Sequence, residues 1–163
     1  MARNARTDHR TVWVHFGFAT PDLVRRWIAA GGIVSTNPYY VTALAGRYQK
    51  LGVGPRAVNM APSGWVVANG GSLSFHSDMP MAPAKPMALV WAGVTRETAE
   101  GPVAGPGQRI GLDAALKAVT LDAAYSIRQE NRVGSIEVGK NANLTVLTED
   151  PFAVPPARLK DIG

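Results

Sequence analysis

The 163-residue sequence contains no cysteine. This absence excludes disulfide bonds, thiolate metal ligands and cysteine nucleophiles, and it is typical of proteins in a reducing compartment. No apolar run approaches the ~18–20 residues that a transmembrane helix needs, so we expect no membrane span. The stretch from Met1 to Asp8 carries arginines but no apolar segment of the kind that a secretory signal requires. We therefore expect a cytoplasmic protein.

Charged residues are also scarce, at 18% of the sequence, whereas hydrophobic residues make up 46%. This balance is typical of a globular chain, and the length suits one domain with a substantial core. The net charge of +5 comes partly from arginines near the start, among them Arg3, Arg6 and Arg10. Because these arginines form no basic stripe with interleaved aromatic residues, we interpret them as a solvated face and expect no nucleic acid partner.

The first part of the chain has the pattern strand, helix, strand. Residues 10–15 are rich in β-branched and aromatic side chains, which predicts a strand. Thr20 and Pro21 then mark a helix start as N-cap and first helical residue, and the glycines at 31–32 end that helix. Ile33–Thr36 is a second short apolar strand. Since crossover helices join parallel strands, this pattern predicts a parallel α/β sheet whose strands are buried on both faces.

A carboxylate follows the third predicted strand. Helices are predicted at 39–51 and 62–69, and the stretch 71–80 predicts a short buried strand that leads to Asp78 and is stopped by Pro80. Burying an unpaired charge is costly, so Asp78 must lie at an opening, meet a partner or bind a cation. In α/β barrels the strand ends at this face carry the chemistry, which makes Asp78 a candidate functional residue. The equal alternative is a cap of the next helix or a turn.

The second half of the chain is predicted from the same signals to hold further helices, loops and two strands. A stiff proline-rich loop is predicted at 79–86, a polar surface loop at 95–107, helices at 87–94, 112–119 and 121–127, and strands within 134–140 and at 143–148.

Several of these segments resemble the amidohydrolase superfamily. The most specific match is the tail at 134–147, followed by Asp-Pro-Phe at 150–152. The Ser-Asp-Met-Pro motif at 77–80 resembles the aspartate motif at the end of the eighth barrel strand of that family. The Val-Trp-Val-His motif at 12–15 resembles the histidine motif at the end of the sixth. The resemblance runs from about Arg10 to the end and is closest to the metal-dependent group that includes the YtcJ-like proteins.

The resemblance implies a fold and a division of the chain. Residues 1–130 are expected to be part of a (β/α)8 TIM-type barrel, its strands six to eight. Residues 131–163 are expected to be the terminal strands of a small β-sandwich and a tail. The expected fold class is therefore α/β, and the chain is expected to be the C-terminal portion of such an enzyme.

The resemblance also implies a metal centre, with zinc as the expected divalent ion, in which the metal lowers the pKa of a water to about 7. Asp78 is implied to contact the metal or its water and to serve as the general base. His15 is implied to be a metal ligand or to polarise the substrate carbonyl. His76 replaces a residue that is often glycine in relatives, and it shares a strand face with Asp78. We expect it to line the pocket, with Asn37 and Tyr39 reaching the substrate.

Structural alternatives remain open for these side chains. His15 is also explained as a hydrogen-bonded residue at a strand end, and a packed or exposed histidine is the favoured alternative for His76. Tyr39 and Tyr40 follow the middle strand, and tyrosines in such positions more often pack at the rim. The positions that match the family motifs favour the functional interpretation of His15 and Asp78.

Most of the family's ligands have no counterpart here. The only histidines are His9, His15 and His76, so the His-x-His pair of the first barrel strand is missing. Two interpretations follow. The first is a C-terminal part of a metal-dependent amidohydrolase that acts on carbon–nitrogen bonds of small amide-type substrates and is inactive in isolation. The second is a non-catalytic, truncated barrel module. In both, exposed sheet edges predict a homo-oligomer or a complementing chain.

Overall fold

The computed structural model describes Arg6 and residues 8–163. Arg3, part of the predicted basic cluster, lies outside the described residues. The strands are β1 (Val12–His15), β2 (Ile33–Thr36) and β3 (Leu73–Phe75), and the α-helices are α1 (Pro21–Ala29), α2 (Tyr39–Lys50), α3 (Ser63–Ala68), α4 (Pro86–Thr95), α5 (Leu112–Val119) and α6 (Leu121–Ser126). Short 3₁₀ helices lie at Gly54–Asn59, Pro106–Gln108 and Pro156–Asp161.

The three strands form one parallel sheet in the order β1-β2-β3, which confirms the predicted strand–helix–strand pattern. His15 is opposite Thr36, and Thr36 is opposite Phe75. Because the strands are parallel and in register, their carboxyl ends meet at one edge of the sheet. The residues that follow each strand are thereby gathered in one place.

Helix α1 begins as predicted. The backbone N–H of Leu23 donates to the Thr20 hydroxyl oxygen at 3.3 Å, and Pro21 occupies the first turn. The indole N–H of Trp27 donates to the Ile33 carbonyl at 3.0 Å, which ties the helix to β2. A Cβ at Gly32 would lie 2.3 Å from the Trp27 ring, so only glycine allows this close approach. The helix end and the next strand are thus fixed together.

The main core lies between the sheet and the helices of the second half. Helix α4 is buried on nearly every side, consistent with its continuously apolar sequence. Val34 and Leu73 of the sheet, Val90 of α4, and Leu159 and Ile162 of the C-terminal segment are all buried in this core. The end of the chain therefore packs on the same core as the strands.

The loop at 95–107 differs from the predicted surface loop, because Arg96 within it is fully buried. Its guanidinium donates to four backbone carbonyls: Ala104 at 2.7 Å, Met60 at 2.9 Å, Val58 at 3.0 Å and Ala61 at 3.1 Å. Polar composition predicted exposure here, but these carbonyls replace water around the charge.

Strand β1 is not buried on both faces, contrary to the prediction. Trp13 is 39% exposed and Val14 51% exposed, whereas Ile33 and Val34 of the central strand are buried. The reason is the strand order, because among the described residues β1 is paired only with β2. Its outer edge is left uncovered, and side chains on both of its faces are partly exposed.

The two predicted C-terminal strands are not formed, which corrects that part of the prediction. Within residues 131–163 the structure contains turns and a 3₁₀ helix but no strand. Ile136, Val138 and Val146 are largely solvent-exposed. A strand requires a hydrogen-bonded neighbour, and in this part of the chain none lies alongside.

Among the helices of the described residues, none has the length and apolarity to cross a bilayer.

Candidate functional site at the carboxyl edge of the sheet

His15 and Asp78 both occupy unusual backbone conformations. His15 ends β1 with a φ of 69°, and Asp78 follows β3 with a φ of 54°. The left-handed region is uncommon for residues other than glycine, and such residues cluster at functional sites. The turns place both side chains at the carboxyl edge of the sheet, where the sequence predicted the chemistry.

A chain of side-chain contacts joins the ends of all three strands. Ser35 Oγ lies 3.0 Å from His76 Nδ1, and His76 Nε2 lies 3.3 Å from His15 Nδ1. The Tyr40 hydroxyl lies 3.2 Å from the same His15 nitrogen and donates to Asp78 Oδ2 at 2.8 Å. The Tyr40 ring also stacks on the His15 ring. The network therefore orients two imidazoles and one carboxylate towards a common space.

The surroundings shift the pKa of two members of this network. Burial raises the pKa of Tyr40 to about 12, and the hydrogen bond to Asp78 adds to this shift. Tyr40 is therefore a neutral phenol at pH 7 that donates its proton to Asp78. Burial lowers the pKa of His76 below its ordinary value, His15 adds to this effect, and Asp78 opposes it. The lowered pKa favours the neutral imidazole of His76.

The structure brings three of the predicted site residues together and places the other two elsewhere. His15, His76 and Asp78 share the network, whereas Asn37 is fully buried behind it. The Asn37 amide donates to the Ser77 carbonyl at 2.8 Å, and its oxygen accepts from the Tyr39 N–H at 3.0 Å. Tyr39 is half-buried and packs against the main core. Asn37 thus ties the residue before Asp78 to the end of β2.

Sequence reasoning overlooked Ser35 and did not find the bridging position of Tyr40. The sheet register explains Ser35, because it pairs with Ser74, and Ser74 shares a strand face with His76 two residues later. A parallel register assumed from the sequence would have placed this hydroxyl beside the His76 ring. The contact of Tyr40 with both His15 and Asp78 has no such local signal, since it depends on how α2 leaves the sheet.

The donor atoms suit a transition metal, but the described residues hold only part of a ligand set. Neutral imidazole nitrogens and a carboxylate are the ligands that Zn²⁺ takes in hydrolytic sites. Within Arg6 and residues 8–163, however, no group of three or more His, Cys, Asp or Glu side chains is arranged to hold a metal ion. Tyr40 stands between His15 and Asp78 and engages the carboxylate. A complete hydrolytic centre would need further ligands.

The buried amide of Asn37 gives a stability prediction. Asn37→Ala removes the hydrogen bonds of this side chain with Ser77, Met81 and Tyr39, and we expect the free energy of unfolding to fall by about 2 kcal/mol. Asn69→Ala is the matched control, because Asn69 is exposed and donates only to the Trp65 carbonyl. Urea denaturation of both variants makes the comparison. Equal losses in the two variants would show that Asn37 does not fasten the loop.

Comparison with protein families identifies what the whole chain resembles. The family model described as "Amidohydrolase family" matches residues 1–163. An N-substituted formamide deformylase of Arthrobacter pascens is 34% identical over 90 residues, which are 55% of this chain and 17% of that protein. The amidohydrolase-named protein YtcJ of Bacillus subtilis (strain 168) is 34% identical over 86 residues, which are 51% of this chain and 16% of that protein.

Solved structures share the fold at low sequence identity. An uncharacterized metal-dependent hydrolase from Pyrococcus horikoshii OT3 superposes with a TM-score of 0.75 at 21% identity, over 89% of this chain and 30% of that one. An adenosine deaminase from Xanthomonas campestris, solved with bound zinc, gives a TM-score of 0.65 at 21% identity, over 94% of this chain and 33% of that one. The match to the chain is nearly complete, whereas about a third of each hydrolase structure is covered. The matched segments are 16–17% of the curated relatives.

Proposed function

The chain belongs to the amidohydrolase family, and we propose that it contributes the last part of a metal-dependent enzyme that hydrolyses carbon–nitrogen bonds other than peptide bonds. In this proposal residues 1–130 supply strands six to eight of a (β/α)8 barrel, and residues 131–163 supply strands of a small β-sandwich. Those strands form only when their neighbours are present. The remaining barrel strands and ligands come from a segment or chain outside these 163 residues.

The observation that carries the proposal is the meeting of His15 and Asp78 at one sheet edge, with Tyr40 between them. These two residues match the family's motifs and are 63 positions apart in the sequence, His15 at the end of β1 and Asp78 after β3. Parallel register alone brings strand ends together, but the positive φ of both residues turns them into the same network. This arrangement supports a role in chemistry rather than in packing.

Asp78 is proposed to be the general base. Tyr40 donates to Oδ2 and so fixes the carboxylate, which leaves Oδ1 to accept a proton from the attacking water and return it to the leaving amine. His15 and Asp78 would be donors to a divalent cation, with zinc as the first candidate, and such a cation supplies Lewis-acid chemistry. His76 faces the same space, while Asn37 and Tyr39 support the loop and the wall of the substrate pocket.

The substrate class is proposed to be small amides, with N-substituted formamides as the first to be tried because one relative is named for them. The test is a hybrid enzyme in which the matched segment of the Arthrobacter pascens deformylase is replaced by the corresponding residues of this chain. We expect formamide hydrolysis by the hybrid that a chelator abolishes and added Zn²⁺ restores. The 163-residue chain alone is expected to be inactive. A folded, metal-loaded hybrid without hydrolysis would contradict the proposed function.

A second function is favoured by the uncovered apolar surface. Trp13 and Val14 of the edge strand β1 are exposed, and so are Ile136, Val138 and Val146 in the C-terminal segment. Such a surface suits a non-catalytic module that associates with a second copy or with a complementing chain. Light scattering separates the two functions when combined with the hybrid assay. A stable homo-oligomer together with an inactive hybrid would favour the non-catalytic module.

A further inference from the structure

We propose that a pocket lined by Phe18 and Trp65 binds a small aromatic carboxylate. This Phe18–Trp65 pocket has a volume of about 230 Å³ and is also lined by Thr20, Arg56 and Asn59. One wall is the segment that leads from β1 into α1, and the other runs from the 3₁₀ helix at Gly54–Asn59 into α3. The histidines and the aspartate of the candidate site do not line it. The proposal is therefore independent of the proposed function.

The size and the aromatic lining of the pocket suit a single aromatic ring. A cavity of about 150 Å³ is enough for benzene, whereas pockets for drug-sized ligands begin at about 300 Å³. Phe18 is 40% exposed and Trp65 is half-buried, so both rings present apolar surface to water. The Phe18 ring stacks on Tyr48 of α2, with 6.3 Å between the ring centroids, which supports its orientation. A ligand ring in the pocket would cover this aromatic surface.

The polar groups of the pocket favour a negatively charged ligand. None of the ion pairs within Arg6 and residues 8–163 involves Arg56. The Thr20 hydroxyl oxygen accepts from the Leu23 N–H, so this hydroxyl can still donate its own proton, and Asn59 adds an amide. Among the described residues that line the pocket, none is acidic. A carboxylate is the complementary group, because a guanidinium can bind it through two parallel N–H···O bonds.

The charges beside the pocket point the same way. Asp22 follows Pro21, which lines the pocket, but its carboxylate lies 3.4 Å from the guanidinium of Arg25 and 3.8 Å from that of Arg26. One negative and two positive groups leave a net positive charge at the start of α1. The acidic residue next to the pocket is therefore offset, and an anion is not repelled.

The two walls are fastened to each other before any ligand binds. The Ala61 N–H donates to the Gly17 carbonyl at 2.9 Å, which joins the segment before α3 to the segment before α1. The Ala61 carbonyl in turn accepts from the buried guanidinium of Arg96. The Trp65 N–H donates to the side-chain oxygen of buried Gln108 at 3.0 Å. A pocket whose backbone is already held in place avoids part of the ordering cost of binding.

Titration of the 163-residue chain with benzoate, followed by NMR at constant ionic strength, tests the site. The four tryptophans give separate indole N–H signals, and among them only Trp65 lines the pocket. We expect a saturable shift of the Trp65 signal with a Kd of about 1 mM or lower. Benzamide has the ring without the charge, and acetate has the charge without the ring. Each of them is expected to bind at least about tenfold more weakly than benzoate.

Two variants assign the binding to the pocket. Arg56→Met removes the charge and keeps a side chain of similar length, and it should weaken benzoate binding by at least about tenfold. Phe18→Leu removes the aromatic ring and should weaken binding by about threefold to tenfold. Arg132→Met is the matched control, because Arg132 is also exposed, forms none of the ion pairs among the described residues and does not line the pocket. It should bind benzoate as the unchanged chain does.

Four outcomes would overturn the proposal. They are a Trp65 signal that benzoate does not shift, equal binding of benzoate and benzamide, unchanged binding in Arg56→Met, and an equal loss in Arg132→Met. Circular dichroism of each variant shows whether it is folded, and since both arginines are exposed we expect no change in the fold. Formamide hydrolysis by the hybrid enzyme plays no part in this experiment. Failure of the aromatic carboxylate site and failure of the proposed function are thus recognised separately.

Discussion

Asp78→Asn is expected to lower kcat of the hybrid enzyme for formamide hydrolysis by about 10²–10⁴-fold, the range that a positioned general base contributes. The amide has the shape of the carboxylate, and its oxygen can still accept the proton that Tyr40 donates to Oδ2. The loop should therefore keep its position. What the amide cannot do is take a proton from water, so the loss is expected in kcat rather than in the stability of the protein.

Steady-state kinetics with the metal content measured beside them would check this expectation. Asp22→Asn is the matched control, because Asp22 lies exposed in the first turn of α1 and pairs with Arg25 and Arg26. We expect the control to retain full activity. An unchanged kcat in the Asp78→Asn hybrid would show that Asp78 is not the general base. Loss of the metal from this hybrid would show that Asp78 acts mainly as a metal ligand.

The order of elements in the first half could be predicted because the sequence marks each boundary with a distinct residue type. Thr20 and Pro21 start α1, the glycines at 31–32 end it, and Pro38 follows β2, and the structure places its boundaries at these points. Each of these signals is local. Capping, positive φ and the missing proline N–H act within a few residues, so they need no knowledge of the rest of the fold.

The candidate site could be predicted only in part, because its geometry is not local. His15 and Asp78 were found from their positions after strands, and the parallel sheet brings those positions together. The contact between Tyr40 and Asp78 joins residues 38 positions apart and depends on the angle at which α2 begins. No spacing rule in the sequence contains that angle. The register of the parallel sheet, once known, would have placed Ser35 beside His76, but it would not have placed Tyr40 beside Asp78.

In the C-terminal segment, local sequence patterns predicted strands that the structure does not form. Residues 143–148 alternate as a strand should, yet they are irregular in the structure. Alternation indicates which side chains would share a face, but it does not provide a neighbouring strand. Leu144 and Val146 remain exposed for this reason. We therefore infer that the alternating pattern suits pairing with a strand from outside these residues. The proposed barrel and sandwich require such a strand as well.

The burial of Arg96 could not be predicted from the sequence, because its partners are backbone carbonyls and no side-chain pattern reveals them. It connects to the candidate site through the backbone. Arg96 donates to the Ala61 carbonyl, and the Ala61 N–H donates to the Gly17 carbonyl at 2.9 Å, two residues after His15. The guanidinium thereby holds the loop that supports the end of β1. Burial lowers the pKa of Arg96 to about 10, so the group remains charged at pH 7.

Arg96→Met is expected to lower the free energy of unfolding by about 4 kcal/mol, because it removes the donor of four backbone carbonyls while keeping a side chain of similar length. Of these carbonyls, that of Ala61 keeps a second donor, the Ser63 N–H. The exposed Arg26→Met is the matched control and should change stability by no more than about 0.5 kcal/mol. Urea denaturation measures both. An equal, small effect of the two substitutions would mean that water or a local rearrangement satisfies these carbonyls. In that case Arg96 would not be the group that holds the His15 loop in place.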